Sequence, residues 1–79
     1  MKIKLFGIAR EIVGSAELKL PDEVEVKNVQ EFKEWLFENY PKFASLKSLA
    51  VAVNQEYADD HSPLDQNAEI ALIPPVSGG

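Results

Sequence analysis

The 79-residue sequence has no cysteine, and it has only one histidine, one tryptophan and one methionine. Without cysteine there is neither a disulfide framework nor a thiolate nucleophile, so any sulfur chemistry has to use another group. The lone His61 stands beside Asp59 and Asp60 with no cluster at metal-ligand spacing, and it reads as part of a solvated polar loop. No metal site is expected. Ser62 follows His61 directly, but a nucleophile and its base need facing geometry and a third orienting group, so no triad is expected. Positive charge is scarce too: 8 Lys and Arg stand against 13 Asp and Glu, a formal net charge of −5 with no basic run. Nucleic acid is therefore not an expected partner; net acidity serves solubility, or speeds encounter with a basic cleft. No apolar run is long enough to span a membrane, and Met1-Lys2-Ile3-Lys4 enters an alternating pattern with no signal-like segment. The expectation is a cytoplasmic protein without a membrane partner.

What is present is enough for one small domain: 46% hydrophobic and 27% charged residues, a globular balance. Lys2-Ile3-Lys4-Leu5-Phe6 alternates, with Ile3 and Leu5 on one face and Lys2, Lys4 and Phe6 on the other. Gly7 and Gly14 bracket a six-residue stretch, Ile8 to Val13, too long for a tight hairpin and long enough for a helical turn. Ala16 to Leu20 alternates again as a second, antiparallel strand ending at Pro21-Asp22. Asn28 then has the character of a helix N-cap with Glu31 three residues on, and Val29, Phe32, Leu36 and Tyr40 recur at helical spacing, with Trp35 and Phe37 widening the apolar stripe until Pro41 stops it. Aromatic residues at this spacing are read as core. Leu49 to Val53 is a third strand, Asn54-Gln55-Glu56 a turn in which Asn54 tolerates left-handed geometry, and Tyr57-Ala58 a short fourth strand. Residues 59–67 read as loop, and Glu69 to Ile73 closes the domain.

The order of strand, strand, helix, strands predicts an α+β fold in which a mixed sheet packs on one main helix, the β-grasp (ubiquitin-like) arrangement. There the last strand runs parallel to the first, so Phe6 and Ile73 come together at the same end of the sheet. By alternation both point away from Ile3, Leu5, Ile70 and Leu72, an apolar pair on the open face at the root of the C-terminal segment, with Tyr57 as a third candidate member. A partner-binding patch and incidental exposure both fit such a pair. The last ten residues, Ile70 to Gly79, carry no charged side chain, so the terminal carboxylate of Gly79 is the candidate reactive group. Pro74 and Pro75 favour an extended exit, and six residues from Pro74 reach roughly 20 Å. Gly78 and Gly79 let a partner's walls close on their backbone; a merely frayed terminus is the alternative. The expected division is a folded body over residues 1–73 and an extended Gly-Gly tail over residues 74–79.

Leu5-Phe6 with Ala9-Arg10-Glu11-Ile12-Val13-Gly14, then Ala52-Val53-Asn54-Gln55, then Ala71 to Gly79 with its Pro-Pro-Val-Ser-Gly-Gly ending, resemble the small, sulfur-carrying subunits of molybdopterin synthase, a ubiquitin-like family. The turn Asp65-Gln66-Asn67-Ala68 lacks the glycine expected there in that family. The resemblance implies that a partner resembling ubiquitin-activating enzymes adenylates the Gly79 carboxylate with ATP. Conversion to a thiocarboxylate follows, and the sulfur passes to a pterin precursor held by the large synthase subunit in molybdenum cofactor biosynthesis. It implies no stably bound cofactor and no complete active site in this chain, with Gly79 and Gly78 as the reacting end. Phe6, Arg10, Tyr57 and Ile73 would dock the partner, and Pro74, Pro75, Val76 and Ser77 would thread its cleft. Two other activities suit a Gly-Gly end: a ubiquitin-like modifier conjugated through Gly79, and a sulfur carrier for thiamine or for a tungsten-pterin cofactor.

Overall fold

The computed structural model describes residues 1–46 and 49–74. Five strands form one sheet in the order β2-β1-β5-β3-β4. They are β1 (Lys2–Leu5), β2 (Glu17–Lys19), β3 (Ala50–Val53), β4 (Glu56–Ala58) and β5 (Ile70–Ile73). β1 pairs antiparallel with β2 and parallel with β5; β5 and β4 both pair antiparallel with β3. The first and last strands are thus central neighbours, Ile3 opposite Ile70 and Leu5 opposite Leu72.

Alternation sorts the two faces as expected. Ile3, Leu5, Leu18, Val51, Ile70 and Leu72 point to one side and are buried against Val29, Phe32 and Leu36 of the main helix, α2 (Val29–Asn39). Burying a large apolar side chain contributes about 1.5–3 kcal/mol, so this one layer carries much of the fold. Asn28 caps α2 as predicted: its side-chain Oδ1 accepts the Glu31 N–H at 2.9 Å. Glu31 Oε1 in turn accepts the Lys27 N–H at 2.8 Å, closing the box one residue earlier than the usual form. The next two backbone donors, at Val29 and Gln30, bond the carbonyls of Ser62 and Asp60. The segment that holds His61 is therefore a lid on the helix N-terminus, built by local turn bonds such as His61 N–H to Asp59 Oδ1.

Three features depart from the sequence reading. Phe37 is exposed and not part of the core, whereas Trp35 packs against the core; at 3.6 residues per turn Trp35 lies about 60° round from Phe32 but Phe37 about 140°, off the stripe. After α2 the chain makes a 3₁₀ turn, Pro41–Ser45, that buries Phe43 edge-on to Tyr40 at 6.3 Å between ring centroids. Leu64, inside the stretch read as loop, and Ala68, just after it, are buried core residues.

Candidate functional site

The open face of the sheet carries the side chains that alternation turns away from α2. Leu5 pairs with Leu72, so Phe6, the next residue, emerges at the level of Ile73. Phe6 is 50% exposed, and neither it nor Ile73 packs on the core. Ile73 lies opposite Ala50, Ala71 opposite Ala52, and Ala52 opposite Tyr57. Tyr57, 75% exposed, is therefore not beside Phe6 and Ile73. Two strand spacings, about 10 Å, separate β4 from β5. Phe6 and Ile73 at one side and Tyr57 at the other bracket a floor of Ala50, Ala52 and Ala71. With only methyl groups as floor, the face is a shallow trough with aromatic rims, a shape suited to an inserted apolar side chain.

The polar half of the same face begins at Lys4, opposite Ala71, whose Nζ pairs with Glu69 Oε1 at 2.8 Å. Hydrogen bonding to Glu69, then the attraction of its charge and a smaller contribution from Glu17, raise the Lys4 pKa above 10.5 against a small desolvation effect. Arg10 is exposed on the short helix α1 (Ile8–Val13) that follows Phe6, and its guanidinium makes no ion pair among the described residues. Pro74 follows β5 directly and is half-buried, close to Gly7. Pro75, Val76, Ser77, Gly78 and Gly79 lie outside the described residues.

A groove of about 580 Å³ lined by Met1, Leu20, Val24, Val26 and Leu64 opens at the Met1 end of β1, the pole opposite Pro74. Among the described residues no group of three or more His, Cys, Asp and Glu could hold a metal ion, and no helix is long and apolar enough to cross a membrane.

A five-stranded mixed sheet with parallel first and last strands and one helix across a single face is a ubiquitin-like β-grasp domain. The crystal structure of SAMP1 from Haloferax volcanii has this fold, matching at a TM-score of 0.79 with 27% identity over 99% of this chain and 97% of that one. The chain belongs to the ThiS family, whose model matches residues 3–79. Among its relatives is the molybdopterin synthase sulfur carrier subunit of Caenorhabditis elegans, 38% identical across all of this chain and 96% of that protein. A complex of subunits 1 and 2 of the molybdopterin-converting factor from Helicobacter pylori contains a chain of the same fold, with a TM-score of 0.65 and 24% identity over 99% of this chain and 96% of that one.

Phe6 and Ile73, predicted to meet, do share one end of the open face, and Arg10 lies on the helix that starts there. The sequence reading missed the alanine floor, whose signal was the small residues alternating with Val51 and Val53, and it missed the closeness of Pro74 to Gly7.

Proposed function

We propose that this chain is the sulfur carrier subunit of a molybdopterin synthase and carries one sulfur atom per cycle on Gly79. The observation that supports it most is the end-to-end match to the nematode carrier subunit at 38% identity. A carboxylate is a poor electrophile. Adenylation with ATP by a partner resembling ubiquitin-activating enzymes gives an acyl-adenylate with a good leaving group, and sulfur from a donor displaces AMP to leave a thiocarboxylate. This soft nucleophile then attacks the pterin precursor bound by the large subunit, displacing an oxygen substituent, and water cleaves the resulting thioester so that the sulfur stays on the pterin and Gly79 regains its carboxylate. A dithiolene holds two sulfurs, so two loaded carriers are consumed for each product. The chain supplies no general acid or base; it is a carrying subunit of an enzyme complex and not a catalyst by itself. The absence of cysteine agrees with this chemistry, since no side-chain thiol competes with the terminal sulfur.

Docking would use Phe6, Ile73, Arg10 and Tyr57 around the alanine floor, with residues 74–79 as the thread that enters the partner. A charged end is costly to bury without partners, so the receiving cleft should offer Lys, Arg or backbone N–H groups. The complex formed by the Helicobacter pylori protein of this fold is consistent with that arrangement. The measurement is intact mass after incubation with the adenylating partner, ATP and a sulfur donor. One oxygen-for-sulfur exchange at the C-terminus is expected, and none in a chain lacking Gly79, which still folds. Full sulfur transfer by that truncated chain would sink the mechanism. The likeness to a small archaeal modifier favours a second reading, conjugation through Gly79 to a lysine; stable conjugates heavier than the free chain would be its signature.

A further inference from the structure

We propose that Gly7 is a positioning residue for the C-terminal segment: its turn forms the seat on which Pro74 rests, and this seat sets the heading of the chain as it leaves β5. Gly7 has φ 53° and ψ −130°, the geometry of the first central residue of a type II′ turn, which strains an L side chain. The turn is closed by the Ala9 N–H donating to the Phe6 carbonyl at 3.1 Å, and the Arg10 N–H bonds the Gly7 carbonyl to begin α1. A β-carbon added at Gly7 would stand 3.4 Å from Pro74 Cγ. That is an ordinary van der Waals distance, so the proline ring lies within one methyl group's reach of the turn, and Pro74 is half-buried although it follows the last strand.

Pro74 has no N–H to extend the ladder, and its ring fixes φ. A ring held on one side with φ locked has little conformational freedom of its own. The fixed point of the C-terminal segment thus lies one residue beyond the strand, at Pro74, and not at Ile73, which is still paired with Ala50. Gly14 is the internal control. It also has positive φ, 92°, but a β-carbon there would meet nothing within 4 Å. The two glycines share a positive φ but differ in ψ, −130° at Gly7 against 12° at Gly14, and only Gly7 lies near the exit.

The activity part of the test rests on the carrier reading; the structural part does not. In the wild-type chain, NMR should show cross-peaks between the Gly7 α-protons and the Pro74 ring protons, and their absence would overturn the seat without any variant having to fold. Gly7→Ala and Gly14→Ala are then assayed below their melting temperatures with the adenylating partner. Both should melt earlier. Gly7→Ala should lower kcat for thiocarboxylate formation by roughly ten- to a hundredfold, the scale of loss when a reacting group is misplaced, with KM for the carrier little changed. Gly14→Ala should keep kcat within about twofold, because its strain reaches nothing at the exit. Equal slowing by the two variants, or a loss carried wholly in KM, would refute positioning. A wild-type chain that accepts no sulfur would count against the carrier reading, with the cross-peaks still deciding the seat.

Discussion

Lys4 shows how a single side chain reports on the face that carries the candidate site. It reaches diagonally from β1 to Glu69 at the entrance of β5, with both side chains about half exposed. Exposed ion pairs add little to stability, so its value is diagnostic. Because Glu69 raises the folded-state pKa, the pair's contribution is complete below the ordinary lysine value of 10.5 and disappears as pH rises through the higher folded value. Followed by NMR, the Lys4 side chain should titrate above 10.5, and Glu69→Gln should return it toward that value. An unchanged midpoint in Glu69→Gln would mean that the pair does not form in solution. A partner docking over the trough would cover Lys4 as well, so the same resonance should respond to binding.

At the scale of elements, the hairpin between β3 and β4 turns on two residues, Asn54 and Gln55, both with positive φ (52° and 71°). This is the twist a two-residue hairpin favours. Asn54 does more than tolerate it: its Oδ1 accepts the Glu69 N–H at 3.0 Å, and its own N–H donates to the Glu69 carbonyl at 2.8 Å. Asn54→Ala gives up the left-handed tolerance and one of these bonds, and should cost about 2 kcal/mol in urea denaturation. The turn was legible in the sequence, though placed one residue too long, because Asn favours such geometry locally. Its bond to a residue fifteen positions away was not legible, since no local pattern encodes it. The same distinction runs through the chain. Ile3-Lys4-Leu5 and Ile70-Ala71-Leu72 declare their faces by alternation, and Val29, Phe32 and Leu36 declare a helix. Phe43 sits in a 3₁₀ turn too short to show a period, and Leu64 is held by its N–H bonding the Lys27 carbonyl at 2.9 Å, a contact made only in three dimensions. Phe6 and Ile73 could be placed together because parallel pairing fixes their level. Tyr57 was misplaced because β3 lies between β4 and β5, and strand order does not follow from strand pattern.

For the whole molecule, the sheet itself separates the buried core from the candidate docking face. Every member of the buried cluster belongs to the α2 side or to the loops around it, whereas Phe6 and Ile73 belong to the other side. Phe6→Ala with Ile73→Ala should therefore leave the melting temperature nearly unchanged yet weaken binding to the large subunit by about tenfold or more, as expected of apolar anchors at the centre of an interface. Calorimetric titration checks the affinity, and an unaltered affinity would reduce the patch to incidental exposure. The net charge of −5 should add a salt-sensitive association rate if the partner's cleft is basic.

The placement of β5 between β1 and β3 has a mechanical consequence. A force applied to the chain beyond Pro74 acts along the axis of a strand hydrogen-bonded on both sides. Such a load is shared by the rungs of two ladders in shear and does not peel them one at a time, as a tug on an edge strand would. The end of the chain can be drawn taut into another protein while the body from which it is drawn keeps its shape.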